Sequence, residues 1–415
     1  MKISELQLDR TAERARLRAR IVWENVDRPS QEIYFEVRGQ FADSIPCAYE
    51  PFVTAAAIPA MRHGEERLAV QGEICPELRE GLNVAMRWLC EWYGGERKPL
   101  RIEAGTRQSA PLRAAQPRAG CFFTGGVDSM ATLRQNQLGF APGHPRAIRD
   151  AVIIYGLEVE RTSAFDAVLR SLTAVAEDVG AELLPVYTNV RSLDLNWTFW
   201  EFEWEGAVYA SVGHALSQRL TSVAISSTYD IPNMRPLGSH PLLDSNYGSS
   251  VLRVHHEGTT LSRLDKLRLI AGWETGLQRL RVCNNVEHYR DETINCAECE
   301  KCVRTMLGLE ALGALERTKA FAVSVLTPDL VLRRVKCLPH AEMFYTELLP
   351  ALVARGRHDL AEAVSHVLRE CRGEVGLRGA FRRIDRAVLG GRLRAAKNAM
   401  STTVAKEDVI RPNVT

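Results

Sequence analysis

The chain has 415 residues, of which 46% are hydrophobic and 25% are charged, and its formal net charge is +2. This is the composition of a globular protein of about two to three domains, which excludes global disorder, and the near-neutral charge gives no field that implies nucleic acid or membrane binding. The first residues lack the apolar segment of a signal peptide and no apolar run reaches the roughly 20 residues of a membrane span, so we expect a soluble, cytoplasmic protein.

Residues 1–115 have the pattern of an N-terminal α+β accessory domain. In four segments apolar and polar residues alternate, as they do in half-buried strands, and the first two of these segments could form a hairpin. Two other segments have apolar residues at helical spacing. The predicted strands are 15–23, 32–39, 66–73 and 99–104, and the predicted helices are 51–64 and 75–94. The following stretch, 105–119, lacks periodicity and contains two prolines, which favours a domain boundary there.

From residue 120 onward, apolar strands alternate with amphipathic helices. The predicted strands are 120–124, 151–159, 181–190 and 222–229, and the predicted helices are near 128–137, over 164–180 and within 200–220. This rhythm predicts an α/β domain over 116–280, with a parallel sheet covered by helices on both faces. Trp197, Trp200 and Trp204 could stack on a purine, but we expect all three to be core residues.

The motif TGGVDS at 124–129 follows the first of these strands and opens a helix. A helix N-terminus has unpaired N–H groups and a positive potential, and glycines let a phosphate approach them. The motif therefore predicts a phosphate-binding loop with a carboxylate that can hold Mg²⁺. Its residues are Thr124, Gly125, Gly126, Val127, Asp128 and Ser129. The alternative is a purely structural strand–turn–helix corner.

Four cysteines lie within residues 283–302, three of them in a C-x₂-C-x₂-C run. They are Cys283, Cys296, Cys299 and Cys302. In a reducing compartment such a cluster predicts a closed, tetrahedral and therefore structural zinc site, over a segment that we bound at 281–325. An iron–sulfur cluster is the main alternative, and a redox-active cysteine pair is a weaker one.

The loop resembles the S-G-G-x-D-S signature of the PP-loop ATP pyrophosphatases, with Thr124 in place of the first serine. Combined with the four-cysteine segment, the chain resembles the 7-cyano-7-deazaguanine synthase family over residues 120–310. The resemblance implies a Rossmann-like PP-loop fold, with ATP, Mg²⁺ and Zn²⁺ as cofactors. It also implies a ligase that adenylates a carboxylate, for example that of a 7-deazapurine, releases pyrophosphate and transfers the acyl group to ammonia or an amine.

The same resemblance assigns roles to individual residues. It implies catalytic roles for Asp128, Ser129 and Lys266, with Arg263 near the start of the same helix. It also brings Asp230 toward the substrate. The acceptor could be the amine of a protein or peptide, which the N-terminal region would help to dock.

Three further residues are candidates for substrate contact from their own positions. His240 and Asp244 lie four apart in a Gly/Ser/Pro-rich segment, and they fit a substrate or second-metal contact as well as they fit a structured turn. Arg191 follows the third strand, where it could face a phosphate or carboxylate, or remain a solvated loop residue.

Two other functions remain open at this point. One is sulfur transfer to RNA or a small molecule, which needs a reactive thiolate outside the zinc site, and Cys121 on an apolar strand is a poor candidate. The other is a non-catalytic, zinc-containing nucleotide-binding protein. We expect a homo-oligomer, and we expect residues 326–415 to be a helical region with an arginine-rich tail that faces solvent rather than RNA.

Overall fold

The computed structural model describes residues 1–94, 97–107, 117–157, 162–283, 285 and 294–372. It divides into two compact units, Met1–Val325 and Leu326–Thr415. No helix among these described residues is long and apolar enough to cross a membrane.

The described residues of the first unit contain ten strands. They are β1 (Lys2–Arg10), β2 (Arg14–Val22), β3 (Gln31–Arg38), β4 (Arg67–Ile74), β5 (Arg101–Thr106), β6 (Ala119–Phe122), β7 (Ile148–Tyr155), β8 (Glu182–Thr188), β9 (Ser222–Ser226) and β10 (Arg253–Glu257). All ten form one sheet in the order β10-β9-β6-β7-β8-β3-β2-β1-β4-β5. The strands β10, β9, β6, β7 and β8 are parallel, and β3 joins β8 in the antiparallel sense.

The helices of the first unit connect and cover these strands. They are α1 (Glu50–Arg62), α2 (Pro76–Tyr93), α3 (Val127–Gly139), α4 (Thr162–Asp178), α5 (Trp197–Phe199), α6 (Glu205–Ala215), α7 (Pro241–Asp244), α8 (Arg263–Ala271), α9 (Glu274–Gln278) and α10 (Glu300–Ala311). A π-helical turn, Trp200–Trp204, connects α5 to α6.

Helices lie on both faces of the parallel strands. Val223 of β9 faces α6, where a Cβ on Gly213 would lie 3.0 Å from its Cγ1. The next residue, Ala224, lines a cavity together with Thr132 of α3. Because side chains alternate along a strand, α3 and α6 cover opposite faces. The coarser prediction, an α/β fold with a largely parallel sheet and helices packed on it, is confirmed.

The sheet differs from the predicted one in being mixed and much larger. The strands of residues 1–106 extend the same sheet, because β3 pairs with β8 through Phe35–Thr188 and Glu36–Tyr187. The sequence pattern contains no information about this pairing, since periodicity identifies a strand but not its neighbour. The boundary that we placed at residue 115 thus falls inside a single compact unit.

Of the three tryptophans that we expected in the core, the structure places two there, and the expectation is wrong for Trp197. Trp204 is fully buried, and its Nε1 donates to the Ala55 carbonyl of α1 at 2.8 Å. Trp200 is also buried, whereas Trp197 is half exposed. The indole N–H is thus satisfied in the interior, as a buried tryptophan requires.

The second unit is helical as far as the structure describes it. Its helices are α11 (Pro328–Arg334), α12 (Glu342–Thr346) and α13 (Leu348–Ala354), followed by helical residues at 358–372. Leu348, Leu352 and Leu360 form part of its buried interior. The predicted arginine-rich tail beyond residue 372 lies outside the described residues.

Candidate functional site

The TGGVDS loop lies at the carboxyl end of β6, where the strand order reverses. The chain passes from β6 to β7 on one side, and later returns from β8 to β9 on the other side of β6. In open α/β sheets this reversal creates a crevice at the carboxyl ends of the strands, and ligands bind there. The sequence motif is therefore at the position of the sheet most suited to a ligand.

Gly125 cannot be replaced by a larger residue in this loop. Its φ is +78°, and a Cβ would lie 2.8 Å from Leu172 Cδ2 of α4 and 3.3 Å from Arg281 Cβ. Only glycine adopts this conformation readily and leaves room for both neighbours. The chain then enters α3 directly, with Gly126 as its N-cap.

Two hydroxyl groups fix the shape of the loop. Ser129 Oγ donates to the Gly126 carbonyl at 3.2 Å and accepts from the Thr124 N–H at 3.3 Å. Thr124 Oγ1 accepts from the Gly126 N–H at 3.3 Å. A phosphate in this loop would compete with these weak, long contacts for the same N–H and O–H donors.

Asp128, in the first turn of α3, forms ion pairs with two cations from α8. Lys266 Nζ lies 3.0 Å from Asp128 Oδ1 and donates to the Ser227 carbonyl at 2.6 Å. Arg263 Nη1 lies 3.1 Å from Asp128 Oδ2. Burial lowers the pKa of Lys266, whereas the negative charges of Asp128 and Asp230 raise it. The three residues proposed from the sequence, Asp128, Lys266 and Asp230, are therefore neighbours.

Tyr229 adds an aromatic wall beside this group, and several charges surround it. Its ring is buried, and the guanidinium carbon of Arg235 lies 5.1 Å from the ring centroid. Burial raises the pKa of Tyr229, while the positive charges of Arg235, Arg263 and Arg304 lower it. The negative charge of Glu201 also raises the pKa of Tyr229, so charges of both signs act on this ring.

Arg281 is a further residue of the site that the sequence interpretation missed. It is buried, its backbone N–H donates to the Gly125 carbonyl at 2.8 Å, and its Nη1 donates to the Thr124 carbonyl at 2.9 Å. It comes two residues before Cys283, which is the only signal in the sequence that could have indicated it.

The four cysteines converge, as their spacing predicts. Their Sγ atoms all lie within 4.8 Å of one another. Two pairs are closer, Cys296–Cys302 at 3.8 Å and Cys299–Cys283 at 3.9 Å. The arrangement could hold a metal ion such as zinc, because four thiolates are a complete tetrahedral ligand set.

The backbone around Cys296 is shaped for a thiolate. Ala297 has a φ of +56°, which turns the following N–H groups back toward the sulfur. Glu298 N–H and Cys299 N–H donate to Cys296 Sγ at 3.5 and 3.2 Å. A left-handed alanine is strained, and it persists because the surrounding structure fixes it.

The pKa values of the clustered thiols differ from one another. A hydrogen bond from Cys302 lowers the pKa of Cys299 to about 5. The same hydrogen bond, together with burial, raises the pKa of Cys302. A metal ion would replace these shared protons, since it binds the deprotonated form of each cysteine.

The second group of sequence candidates lies in the interior. Asp244 is fully buried, accepts from Ser239 Oγ at 2.7 Å and pairs with His256 Nδ1 at 2.7 Å. His240 Nδ1 accepts from the Leu242 N–H as the N-cap of α7, and burial lowers its pKa. These are the contacts of a structured turn, the second of the two interpretations of this segment.

Arg191 is also buried rather than solvated. Its guanidinium carbon lies 4.6 Å from the ring centroid of Trp200, 5.3 Å from that of Trp197 and 5.8 Å from that of Trp204. The arginine therefore packs among the tryptophans of α5 and the π-helical turn. Cation–π contacts of this kind are stabilising, and the structure gives Arg191 this packing role.

Two cavities lie beside the parallel strands, one at the carboxyl ends of β6 and β7 and the other near the first residues of β6, β7 and β9 and the C-terminal end of α3. A narrow apolar cleft of about 20 Å³ is lined by residues that include Phe122, Leu157, Tyr209 and Arg281. A larger cavity of about 310 Å³ lies on the α3 face, and His255 contributes to its lining. A purine could enter the first only if its lining side chains moved, because the cleft is smaller than a base.

Comparison of the chain with models of known protein families, with curated proteins and with solved structures finds no match.

Proposed function

We propose that this protein is a PP-loop ATP pyrophosphatase that activates a carboxylate as an adenylate and transfers the acyl group to ammonia or an amine. Its chemistry would be that of a C–N bond-forming ligase similar to 7-cyano-7-deazaguanine synthase. The observation that carries the proposal is the TGGVDS loop at the strand-order reversal, with Lys266 and Arg263 of α8 beside it.

The loop supports nucleotide binding through its backbone. The N-terminus of α3 provides N–H groups and a positive potential, and Gly125 and Gly126 let phosphate oxygens approach closely. Thr124 and Ser129 add hydroxyl donors at the same place. Lys266 and Arg263 supply the positive charge that a polyphosphate needs and that the backbone alone does not provide.

The residues fit Mg²⁺ as a companion of the phosphates. Asp128 and Asp230 both act on Lys266, so two carboxylates lie near the loop. Two carboxylates and phosphate oxygens are the usual ligands of Mg²⁺ in such sites. The ion would neutralise the charge of the leaving pyrophosphate, and Asp128 would exchange one of its ion pairs for the metal.

In the first step, a carboxylate oxygen of the substrate attacks the α-phosphorus of ATP. The bond between the α-phosphorus and the bridging oxygen breaks, and pyrophosphate leaves with the electron pair. Lys266 would stabilise the negative charge that develops on the phosphates. In the second step, an amine nitrogen attacks the acyl carbon of the adenylate, AMP leaves, and the amine proton passes to solvent.

The arginines around Tyr229 support an anionic acceptor. Arg235 lies against the ring, the charges of Arg263 and Arg304 act on its pKa, and a guanidinium group matches the planar geometry of a carboxylate. Tyr229 would provide an apolar surface for a ring, such as that of a deazapurine.

Zinc is the metal that best fits the four cysteines. A tetrahedral Zn–S site with bonds of about 2.3 Å separates its sulfurs by about 3.8 Å. The observed pairs at 3.8 and 3.9 Å match this value. An iron–sulfur cluster inserts several atoms between its cysteines and holds them farther apart. With all four positions taken by sulfur, the zinc would be structural.

The sulfur-transfer alternative has less support. Cys121 is fully buried on β6, and burial raises its pKa to about 12, so the nucleophilic thiolate is strongly disfavoured. The four clustered cysteines would be occupied by a metal. Sulfur transfer therefore remains only as an outcome of the test that follows.

The test is release of pyrophosphate and AMP from ATP and Mg²⁺, with 7-carboxy-7-deazaguanine and ammonium as the first substrate pair. We expect turnover with this pair or with a related carboxylate, and we expect Asp128→Asn to lower it by roughly a hundredfold or more. Asp43→Asn is the matched control, because Asp43 is almost fully exposed.

The other results would overturn the proposal. Turnover that requires RNA and a sulfur donor would identify a sulfurtransferase. ATP binding without pyrophosphate release from any carboxylate would identify a nucleotide-binding protein. An Asp128→Asn variant as active as the Asp43→Asn control would show that the loop does not perform the chemistry.

A further inference from the structure

A short segment, residues 280–283, connects the phosphate-binding loop to the four-cysteine cluster. At one end, Arg281 donates to the carbonyls of Thr124 and Gly125. At the other end, Cys283 is one of the four converging cysteines. A single residue, Val282, separates Arg281 from Cys283. A displacement of Cys283 must therefore also displace Arg281.

Asn295 clamps this segment from the opposite side. Its Oδ1 accepts from the N–H groups of Val282 at 2.8 Å and Cys283 at 3.1 Å. Its Nδ2 donates to the carbonyls of Leu280 at 2.7 Å and Ala320 at 2.8 Å. Asn295 is buried and directly precedes Cys296, so the clamp and the segment are each adjacent to a cysteine of the cluster.

The contacts of Arg281 determine which way the loop presents its amides. In a trans peptide the C=O and the following N–H point in opposite directions. Because the carbonyls of Thr124 and Gly125 point at Arg281, the N–H groups of Gly125 and Gly126 point away from it. Those amides are the donors that a phosphate at the start of α3 would use.

We propose that Arg281 is a positioning residue through which metal bound at the four cysteines sets the affinity of the loop for ATP. This rests on the function proposed above. The metal fixes Cys283 and Cys296, and these fix the segment and its clamp. Arg281 then holds the two carbonyls, and the loop amides stay directed toward the nucleotide. Without the metal, the segment loses its anchor and the loop no longer has one fixed orientation.

The test measures ATP binding directly, by calorimetry with Mg²⁺, in zinc-loaded protein, in protein stripped with a chelator, and in stripped protein resupplied with Zn²⁺. We expect the dissociation constant to rise about tenfold or more on stripping and to recover with Zn²⁺, since a charge-assisted hydrogen bond has about this effect. Arg281→Met should weaken binding by a similar factor while retaining the metal.

The decisive result is the combination of the two changes. If the metal acts through Arg281, stripping the Arg281→Met variant should cause a smaller further loss than stripping the unaltered protein, because only the backbone contact with the Gly125 carbonyl remains to be lost. Arg281→Lys should restore part of the affinity. Arg279→Met is the matched control, since Arg279 lies two residues earlier outside the loop contacts. It should bind ATP as the unaltered protein does and respond to stripping in full.

Amide hydrogen exchange of residues 124–129 gives a second readout that needs no nucleotide. Exchange should be faster in stripped protein and in Arg281→Met, with circular dichroism confirming that both remain folded. Unchanged exchange and affinity on stripping, or fully additive losses, would refute the coupling. If zinc-loaded protein binds no ATP, the proposed function fails, but the exchange experiment still decides whether the metal controls the loop.

Discussion

We expect the ion pair between Lys266 and Asp128 to serve ATP binding without adding to the stability of the folded protein. Two substitutions, Asp128→Asn and Lys266→Met, test this expectation. In Asp128→Asn, Lys266 keeps its charge but loses a counter-ion 3.0 Å away. In Lys266→Met, the charge itself disappears, and a side chain of similar length fills its buried position. The two variants therefore separate the cost of an uncompensated charge from the value of the pair.

The magnitudes follow from burial. The Lys266 side chain is 1% exposed and that of Asp128 is 22% exposed. Removing one partner of a fully buried pair costs about 3–5 kcal/mol, because it leaves an uncompensated buried charge. Lys266→Met leaves no such charge, since Asp128 is partly exposed and keeps its ion pair with Arg263 at 3.1 Å. With the partial exposure of Asp128, we expect a loss of about 2–3 kcal/mol for Asp128→Asn and less than about 1 kcal/mol for Lys266→Met.

The effect on Asp128→Asn should depend on pH in a definite direction. Burial already lowers the pKa of Lys266, and removal of the Asp128 charge lowers it further. Above that pKa the unfolded chain still binds the proton that the folded protein has lost, so stability rises with pH. The deficit of Asp128→Asn relative to the unaltered protein should therefore shrink as the pH rises toward the ordinary pKa of lysine.

Calorimetric melting of the first unit is the assay. A change of 1 kcal/mol corresponds to a shift of about 2 °C for a unit of this size, so Asp128→Asn should melt about 4–6 °C lower. Lys266→Met and the double variant should melt within about 2 °C of the unaltered protein, and all three should bind ATP poorly. If Lys266→Met destabilises as much as Asp128→Asn, Lys266 is a structural residue and its proposed catalytic role loses its basis.

Two further predictions concern groups outside the loop. Burial lowers the pKa of His214, so at mildly acidic pH the unfolded chain binds a proton that the folded protein does not bind. The free energy of unfolding should therefore fall as the pH drops below about 6.5, by up to about 1.4 kcal/mol per pH unit. His214→Gln keeps a donor for the Tyr247 carbonyl and should flatten this dependence in urea unfolding at pH 5–7, whereas an unchanged slope would contradict the assignment. Elemental analysis should find a single tightly bound metal ion per chain, and this ion should be lost in Cys299→Ser. Cys47→Ser is the control and should retain the metal, because Cys47 is exposed and lies outside the cluster. Equal metal content in the two variants would disprove the site.

Most elements of the first unit could be predicted because their periodicity is local. The strands β2 and β3 and the helix α2 follow from alternation and from the spacing of apolar residues. The strands β1 and β10 were missed. β10 contains His255 and His256 in a short polar segment, and it is a strand because it pairs with β9 along its whole length. Such pairing is a tertiary fact that no local pattern encodes.

The same distinction applies to the site. The glycine loop and the cysteines could be recognised because each is a short motif whose members are close in the sequence. Arg281 could not, since its role depends on two carbonyls more than 150 residues earlier in the chain. Asp244 could be placed on a loop by composition, but only the structure shows that it is buried against His256.

The N-terminal region packs against the π-helical turn that precedes α6. Trp204 donates to the Ala55 carbonyl of α1, and Tyr93 of α2 donates to the Phe202 carbonyl at 2.6 Å, so both helices hold the π-helical turn. Glu201 of that turn is among the charges that shift the pKa of Tyr229. π-Helical turns are frequent at functional sites because they redirect side chains. Residues 1–106 thus help to position the π-helical turn, whose Glu201 acts on the pKa of Tyr229.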